Sequence, residues 1–170
     1  MAESEFSGYA EYRSRLDRAK GFGEVYELVK DTVKGSLGEY RIGMMLYLDD
    51  LPLRLGAYHP VGTNNIVLNR ALIRVIEAST DSIKVINSFI YSILLHEYLH
   101  ALGYIRESEV RQLIYKVTDE SFGEDHLVTD LARKGPWSIL KGVPLGMVEA
   151  PRRIMEIVKD FEKNDARYIA

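Results

Sequence analysis

Residues 81–103 read DSIKVINSFIYSILLHEYLHALG, and the fold is read outward from this stretch. Its apolar positions Ile86, Phe89, Ile90, Ile93 and Leu94 recur at helical spacing, the pattern of a stripe turned toward a core. Thr80 or Asp81 stands where a helix cap belongs, because their side-chain oxygens satisfy N–H groups of the first turn. Gly103 stands where such a helix stops, since glycine takes the left-handed conformation just past a helix end. His96 and His100 lie one turn apart and project from the same face, so both imidazoles can reach one metal ion. Glu97 sits beside His96, where its carboxylate can touch a metal-bound water without ligating. Neutral imidazole suits zinc, and a catalytic zinc takes three protein ligands plus a water whose pKa falls to about 7. The chain has only four histidines, and two of them bracket a glutamate on its most apolar helix, where unpaired polar groups are costly. The bland alternative is a pair of helical histidines, each satisfied by a hydrogen bond.

Upstream, YRIGMMLYL (residues 40–48) is nearly continuous in apolar residues, as a strand buried on both faces would be. Asp49-Asp50-Leu51-Pro52 ends it. Residues 53–58 and NIVLN (residues 65–69) read as two further short strands joined through Pro60 and Gly62, followed by a short helix over 70–78. The segment 11–34 reads as helical, with a corner at Gly21-Phe22-Gly23. Downstream, the pattern predicts a helix over 107–121, a shorter one from Glu124 to the stop at Gly135-Pro136, and an amphipathic helix over 151–164 with Pro151 in its first turn. Helix, a small group of strands, then helices is the order of an α+β protein. No linker or repeat divides it, so residues 1–170 are expected to form one domain.

The composition narrows the function. With 170 residues the chain can bury a sizeable core unaided. It has no cysteine, hence no disulfide, thiolate metal site or cysteine nucleophile, and any metal must be held by histidine and carboxylate. A net charge of −3 argues against a nucleic-acid partner bound through phosphate neutralisation. The longest apolar stretch, Phe89 to Leu95, is far short of a bilayer span. The N-terminal MAESEF is acidic where a signal peptide is basic, so a cytoplasmic location is expected. One glutamine (Gln112) amid many Glu, Lys and Arg is the bias of heat-tolerant proteins, hence of a thermophile.

HEYLHALG (residues 96–103) resembles the active-site helix of the zincin metallopeptidases, which carries HExxH. GAYHPVGTNNIVLN (residues 56–69) resembles the edge strand that precedes this helix in small zincins, and the similarity covers roughly residues 40–126. It implies a zincin-like α+β fold with a zinc cofactor, and an edge strand that pairs with the substrate backbone. Strand addition is a sound way to hold an extended peptide. On this chain the substrate-aligning residues would be Asn65, Ile66, Val67, Leu68 and Asn69.

The third zinc ligand is where the motif departs. In metzincins it is a histidine six residues after the second motif histidine, and here that position is Arg106, which cannot bind zinc. In gluzincins it is a glutamate on a following helix, and Glu107 and Glu109 stand there. Their bland reading is first-turn carboxylates stabilising a helix N-terminus. The remaining candidate, His126, ranks first on ligand chemistry, because imidazole outcompetes an exposed carboxylate for zinc. Layout counts against it: were helix 107–121 to fold straight back, His126 would fall about 10 Å short of the pair at a rise of about 1.5 Å per residue. Tyr104 and His59 are candidate donors to a transition-state oxyanion. Met147 is expected to be ordinary core, and Asp130 either orients His126 or is a solvated helix charge.

Together these residues point to a zinc-dependent hydrolase cleaving peptides or proteins, with Glu97 activating the water and passing its proton to the leaving amine. The competing expectations are a zincin-like binding or regulatory module that keeps the metal helix but is catalytically inert, and a metal-free structural protein.

Overall fold

The computed structural model describes residues 2–141 and 154–162, with side chains from residue 8 onward. Helices α1 (Ala2–Arg18) and α2 (Gly21–Leu37) open the chain. Strands β1 (Met45–Asp49), β2 (Ala57–Tyr58) and β3 (Asn65–Asn69) follow. Helices α3 (Arg70–Ser79), α4 (Ile83–Ala101), α5 (Glu107–Phe122) and α6 (Leu127–Lys134) come next, then a 3-10 turn at Pro136–Leu140 and strand β4 (Glu156–Ile157). The architecture is α+β and mostly helical, with one small mixed sheet.

Helix α4 is the axle. Every other helix, β2, β3 and the 3-10 turn pack against it, which explains why its apolar residues run almost all round rather than along one stripe. Ser82, not Thr80 or Asp81, caps it, its hydroxyl accepting from the Val85 N–H. The polar residues of its buried face have defined jobs. Asn87 Nδ2 donates to the Leu16 and Ala19 carbonyls at 2.8 and 3.0 Å, satisfying groups that the end of α1 leaves without helical partners. The Tyr91 hydroxyl lies 2.7 Å from Thr32 Oγ1 of α2. Phe89, Tyr91, Leu94, Leu95, Tyr98 and Leu99 are fully buried, in one core cluster that also takes in α2, β3 and α5.

The sheet order is β2-β3-β1-β4, with β1 and β3 parallel and both outer pairs antiparallel. This corrects the expectation for residues 65–69. NIVLN is an interior strand, paired with β1 along its whole length and, at Val67 and Leu68, with Ala57–Tyr58 on the other side, so it is β2 that stands at the sheet edge. Ile66, Leu68 and Asn69 are fully buried and Val67 nearly so. Asn69 is structural. Its Oδ1 accepts from the N–H groups of Leu51, Ala71 and Leu72, and its Nδ2 donates to the carbonyls of Leu51, Pro52 and Leu55. One side chain thus caps α3 and pins the loop that leads into β2.

The tail also departs from its helical periodicity. Residues 154–162 contain β4, with Tyr47 opposite Ile157 and Leu48 opposite Glu156. The outer edge of β1 presents polar groups that need partners, and the Val158 N–H meets the Leu46 carbonyl at 2.8 Å. Phe161 then stacks on Tyr26 with ring centroids 4.2 Å apart. The remainder of the helix expected over 151–164, and Met147, lie outside the described residues. Among the described residues no helix is long and apolar enough to cross a membrane.

Candidate metal centre

The last turn of α4 presents His96 and His100 half-buried, with their Nε2 atoms 3.2 Å apart. Gly103 then ends the helix at φ 109°, a left-handed conformation that strains residues bearing a Cβ. The reversal has two consequences. It brings the Tyr104 carbonyl to 2.7 Å from His100 Nδ1, and it starts α5 with Glu107 facing the histidine pair. Glu107 Oε1 lies 2.8 Å from His100 Nε2, and Oε2 lies 3.0 Å from His96 Nε2.

The ligating atoms of His96, His100 and Glu107 all fall within 4.8 Å of one another. Zinc bonds of about 2.0–2.2 Å in a tetrahedron separate ligand atoms by about 3.4 Å; the two imidazole nitrogens stand 3.2 Å apart, near that edge, while Glu107 meets each of them with a different carboxylate oxygen, at 2.8 and 3.0 Å. Facing a carbonyl, His100 Nδ1 is placed to donate, so that in the neutral ring Nε2 holds the lone pair a metal needs. A backbone carbonyl behind a ligating imidazole is the usual orienting partner. Burial lowers the His96 pKa, against the opposing pull of Glu107, and so favours the neutral ring a metal needs. The donor set of two imidazoles and a carboxylate fits zinc.

Glu97 is buried one residue on, and desolvation pushes its carboxyl up to about 7. It and the three clustered residues line a cleft of about 900 Å³. The edge strand β2 forms one wall, with Gly56 so close to α4 that an added Cβ would meet Ile93 Cδ1 at 2.9 Å. Helix α5 supplies a second wall through Arg111 and Ile114, and α6 with Trp137 a third.

The other candidates fall elsewhere. His126 does not meet the pair: it is buried at the N-terminus of α6, where Nδ1 accepts from the Val128 N–H at 3.1 Å and its ring stacks on Phe122. The charge of Lys84, in the first turn of α4, acts on it. Lys84 is twelve residues before His96, about 18 Å along the helix axis. The antiparallel return of α5 carried His126 to the wrong end of α4. Asp130 pairs with Lys134 at 3.2 Å and does not orient the His126 ring. Glu109 is exposed and stands outside the cluster.

The Tyr104 hydroxyl donates to Glu39 Oε1 at 2.7 Å, so it is not aimed at the cleft, and the carbonyl is the part of Tyr104 that serves the site. His59 does line the cleft, but its Nδ1 donates to the Asn65 carbonyl at 2.8 Å. In the neutral ring Nε2 is then an acceptor, and only a protonated His59 could serve an oxyanion.

Sequence reasoning passed over Arg111 and the α6–Trp137 wall, and within the edge-like segment 56–69 it singled out 65–69, where Ala57–Tyr58 form the edge. Each depends on packing between distant segments. The one local signal was Gly56, which lets a strand press against a helix. Compared with described protein families, curated proteins and solved structures, the chain matches none of them.

Proposed function

We propose that this chain is a zinc-dependent hydrolase of zincin type acting on peptide bonds. His96, His100 and Glu107 would hold the metal, and Glu97 would serve as general base. The observation that carries the reading is the convergence of two imidazole nitrogens and a carboxylate within 4.8 Å, next to a buried glutamate, in an open cleft. When bound, zinc supplies a Lewis acid and lowers the pKa of water to about 7.

The chain's own residues do the rest. Glu97 takes a proton from the attacking water and hands it to the departing amine nitrogen. Burial suits it to this exchange, because a carboxyl raised to about 7 both accepts and releases a proton near neutrality. Tyr104 holds the His100 ring through its carbonyl. The outer edge of β2 offers backbone groups to an extended substrate, the role expected of residues 65–69 and transferred here to Ala57–Tyr58.

Metal content and turnover test the proposal together. Wild type and His126→Ala should each bind one zinc, whereas Glu107→Ala should lose it. Glu97→Gln should keep the zinc and lose about 10²–10⁴-fold in peptide hydrolysis. A wild-type chain that takes up no zinc after incubation at neutral pH overturns the reading. Bound zinc with no turnover dependent on Glu97 would make the cleft a strand-holding module instead.

A further inference from the structure

The charges of the cleft point to what it holds. The chain is acidic overall, with a net charge of −3. Yet the described residues lining this cleft include Arg41, Arg54, Arg111, Arg133 and Lys134, and among them the carboxylates are Glu97 and Glu107. Those two face the histidine pair. Among the cations, Arg133 and Lys134 have carboxylate partners in Glu124 and Asp130. Arg41 is spent on neutral acceptors, the carbonyls of Ala101 and Thr63 and Asn64 Oδ1. Arg54 and Arg111 are exposed, and neither has a hydrogen-bond or ion-pair partner among the described residues.

Their positions define one arm of the cleft. Arg111 lies one turn after Glu107 on the same face of α5, toward Ile114, another lining residue. Arg54 precedes Gly56, which rests against Ile93, one turn before Glu97 on α4. Both arginines therefore flank the path that leads from His96 back along α4. Around Val61 and Ile105, which are 83% and 73% exposed, the lining is more apolar, and the one guanidinium there, Arg41, is already bonded to the Ala101 and Thr63 carbonyls and Asn64. A guanidinium fork suits a carboxylate, and two unpaired forks in a partly enclosed groove favour an anionic occupant.

We propose, resting on the peptidase reading above, that Arg54 and Arg111 select peptides that place a carboxylate in this arm, one side of the scissile bond. The carboxylate is either an Asp or Glu side chain or the peptide's own C-terminus.

The test uses the zinc-loaded full-length chain and synthetic peptides that are cleaved at one bond. Each peptide is made as Glu and Gln versions at successive positions on both sides of that bond, and with a free or amidated C-terminus. On one side, the acidic version should be cleaved with about tenfold higher kcat/KM, the worth of a charge-assisted contact. Added salt should narrow that gap. A gap confined to the Glu/Gln pairs identifies the side chain as the source, and one confined to acid against amide identifies the C-terminus.

Arg54→Glu and Arg111→Gln should collapse the ratio toward one, and the double variant should come to prefer Lys over Glu at the same position. Circular dichroism and zinc content establish that these variants are folded and loaded. Equal rates for all matched pairs overturn this inference and leave the peptidase reading standing. Glu97-independent rates, or no cleavage of any peptide, overturn both.

Discussion

Gly103 is the residue on which the centre turns. Nothing lies within 4 Å of where its Cβ would be, so steric room is not what selects glycine there. The backbone is: φ 109° is strained for an L side chain. Gly103→Ala should cost only about 1 kcal/mol of stability in the metal-free chain. It should weaken zinc binding by about 10–100-fold, because the Tyr104 carbonyl and Glu107 are both aimed by that turn. Competition with a chelator of known affinity reads the second effect and chemical unfolding the first. Equal zinc affinity in the two proteins would mean that the turn does not position the ligands.

His126 makes a different residue-scale argument. Burial holds its imidazole at about 4, well below the ordinary value of 6.5. Between those values the unfolded chain binds a proton that the folded chain refuses, so stability falls as pH drops from about 6.5 toward 4 and is unaffected above. From pH 7 to pH 5 the loss is on the order of 2 kcal/mol. His126→Asn keeps an N-cap for α6 and removes the titration. Its urea midpoint should therefore fall less than that of wild type over this interval. Parallel declines would show that His126 is not the acid-labile group.

At the scale of the element, the cleft wall is built by proxy. Strand β2 has only two residues, too few to stand alone, and it is held by β3 and by the loop before it. That loop hangs on Asn69, whose side chain satisfies three carbonyls and three N–H groups from the interior. Asn69→Ala removes a helix cap and leaves several buried groups unpaired, each costing about 1–3 kcal/mol where water cannot reach. A total loss of about 3 kcal/mol or more is expected. Hydrogen exchange at Leu55 and Ala57 should rise more than exchange in α4. Uniform acceleration across both would deny Asn69 a local role in the wall.

For the whole molecule, the proposed metal centre would act as a clamp between α4 and α5, two helices that already share the core. A ligand that binds only the folded chain stabilises it by mass action, by about 4 kcal/mol at a thousandfold excess over Kd. Zinc should therefore raise the melting temperature of wild type and of His126→Ala alike, and EDTA should reverse the rise. Glu107→Ala should lose most of this response. If chelation left every melting curve unchanged, the cluster would be a hydrogen-bonded helix junction and not a metal site.

What the sequence determined by itself was local. The i, i+4 spacing of His96 and His100 needs only a helix, and that helix was legible in its apolar period and its glycine stop. The helices and strands from Asn65 to Gly135 were legible within a few residues for the same reason, spacing and turn chemistry acting between near neighbours, whereas α1 begins nine residues before and β1 five residues after the starts read for them. Tertiary structure alone decided which strand stands at the sheet edge, because 65–69 and 53–58 both read as short strands and only their pairing distinguishes them. It decided that residues 156–157 form a strand, since the free edge of β1 outweighs a helical period that has no face to bury. It also brought Glu107, and neither Glu109 nor His126, to the histidine pair. Ligand chemistry favoured the histidine, but a ligand must first arrive. The sharp reversal at Gly103 delivers Glu107 to the pair, while the length of α5 carries His126 to the far end of α4.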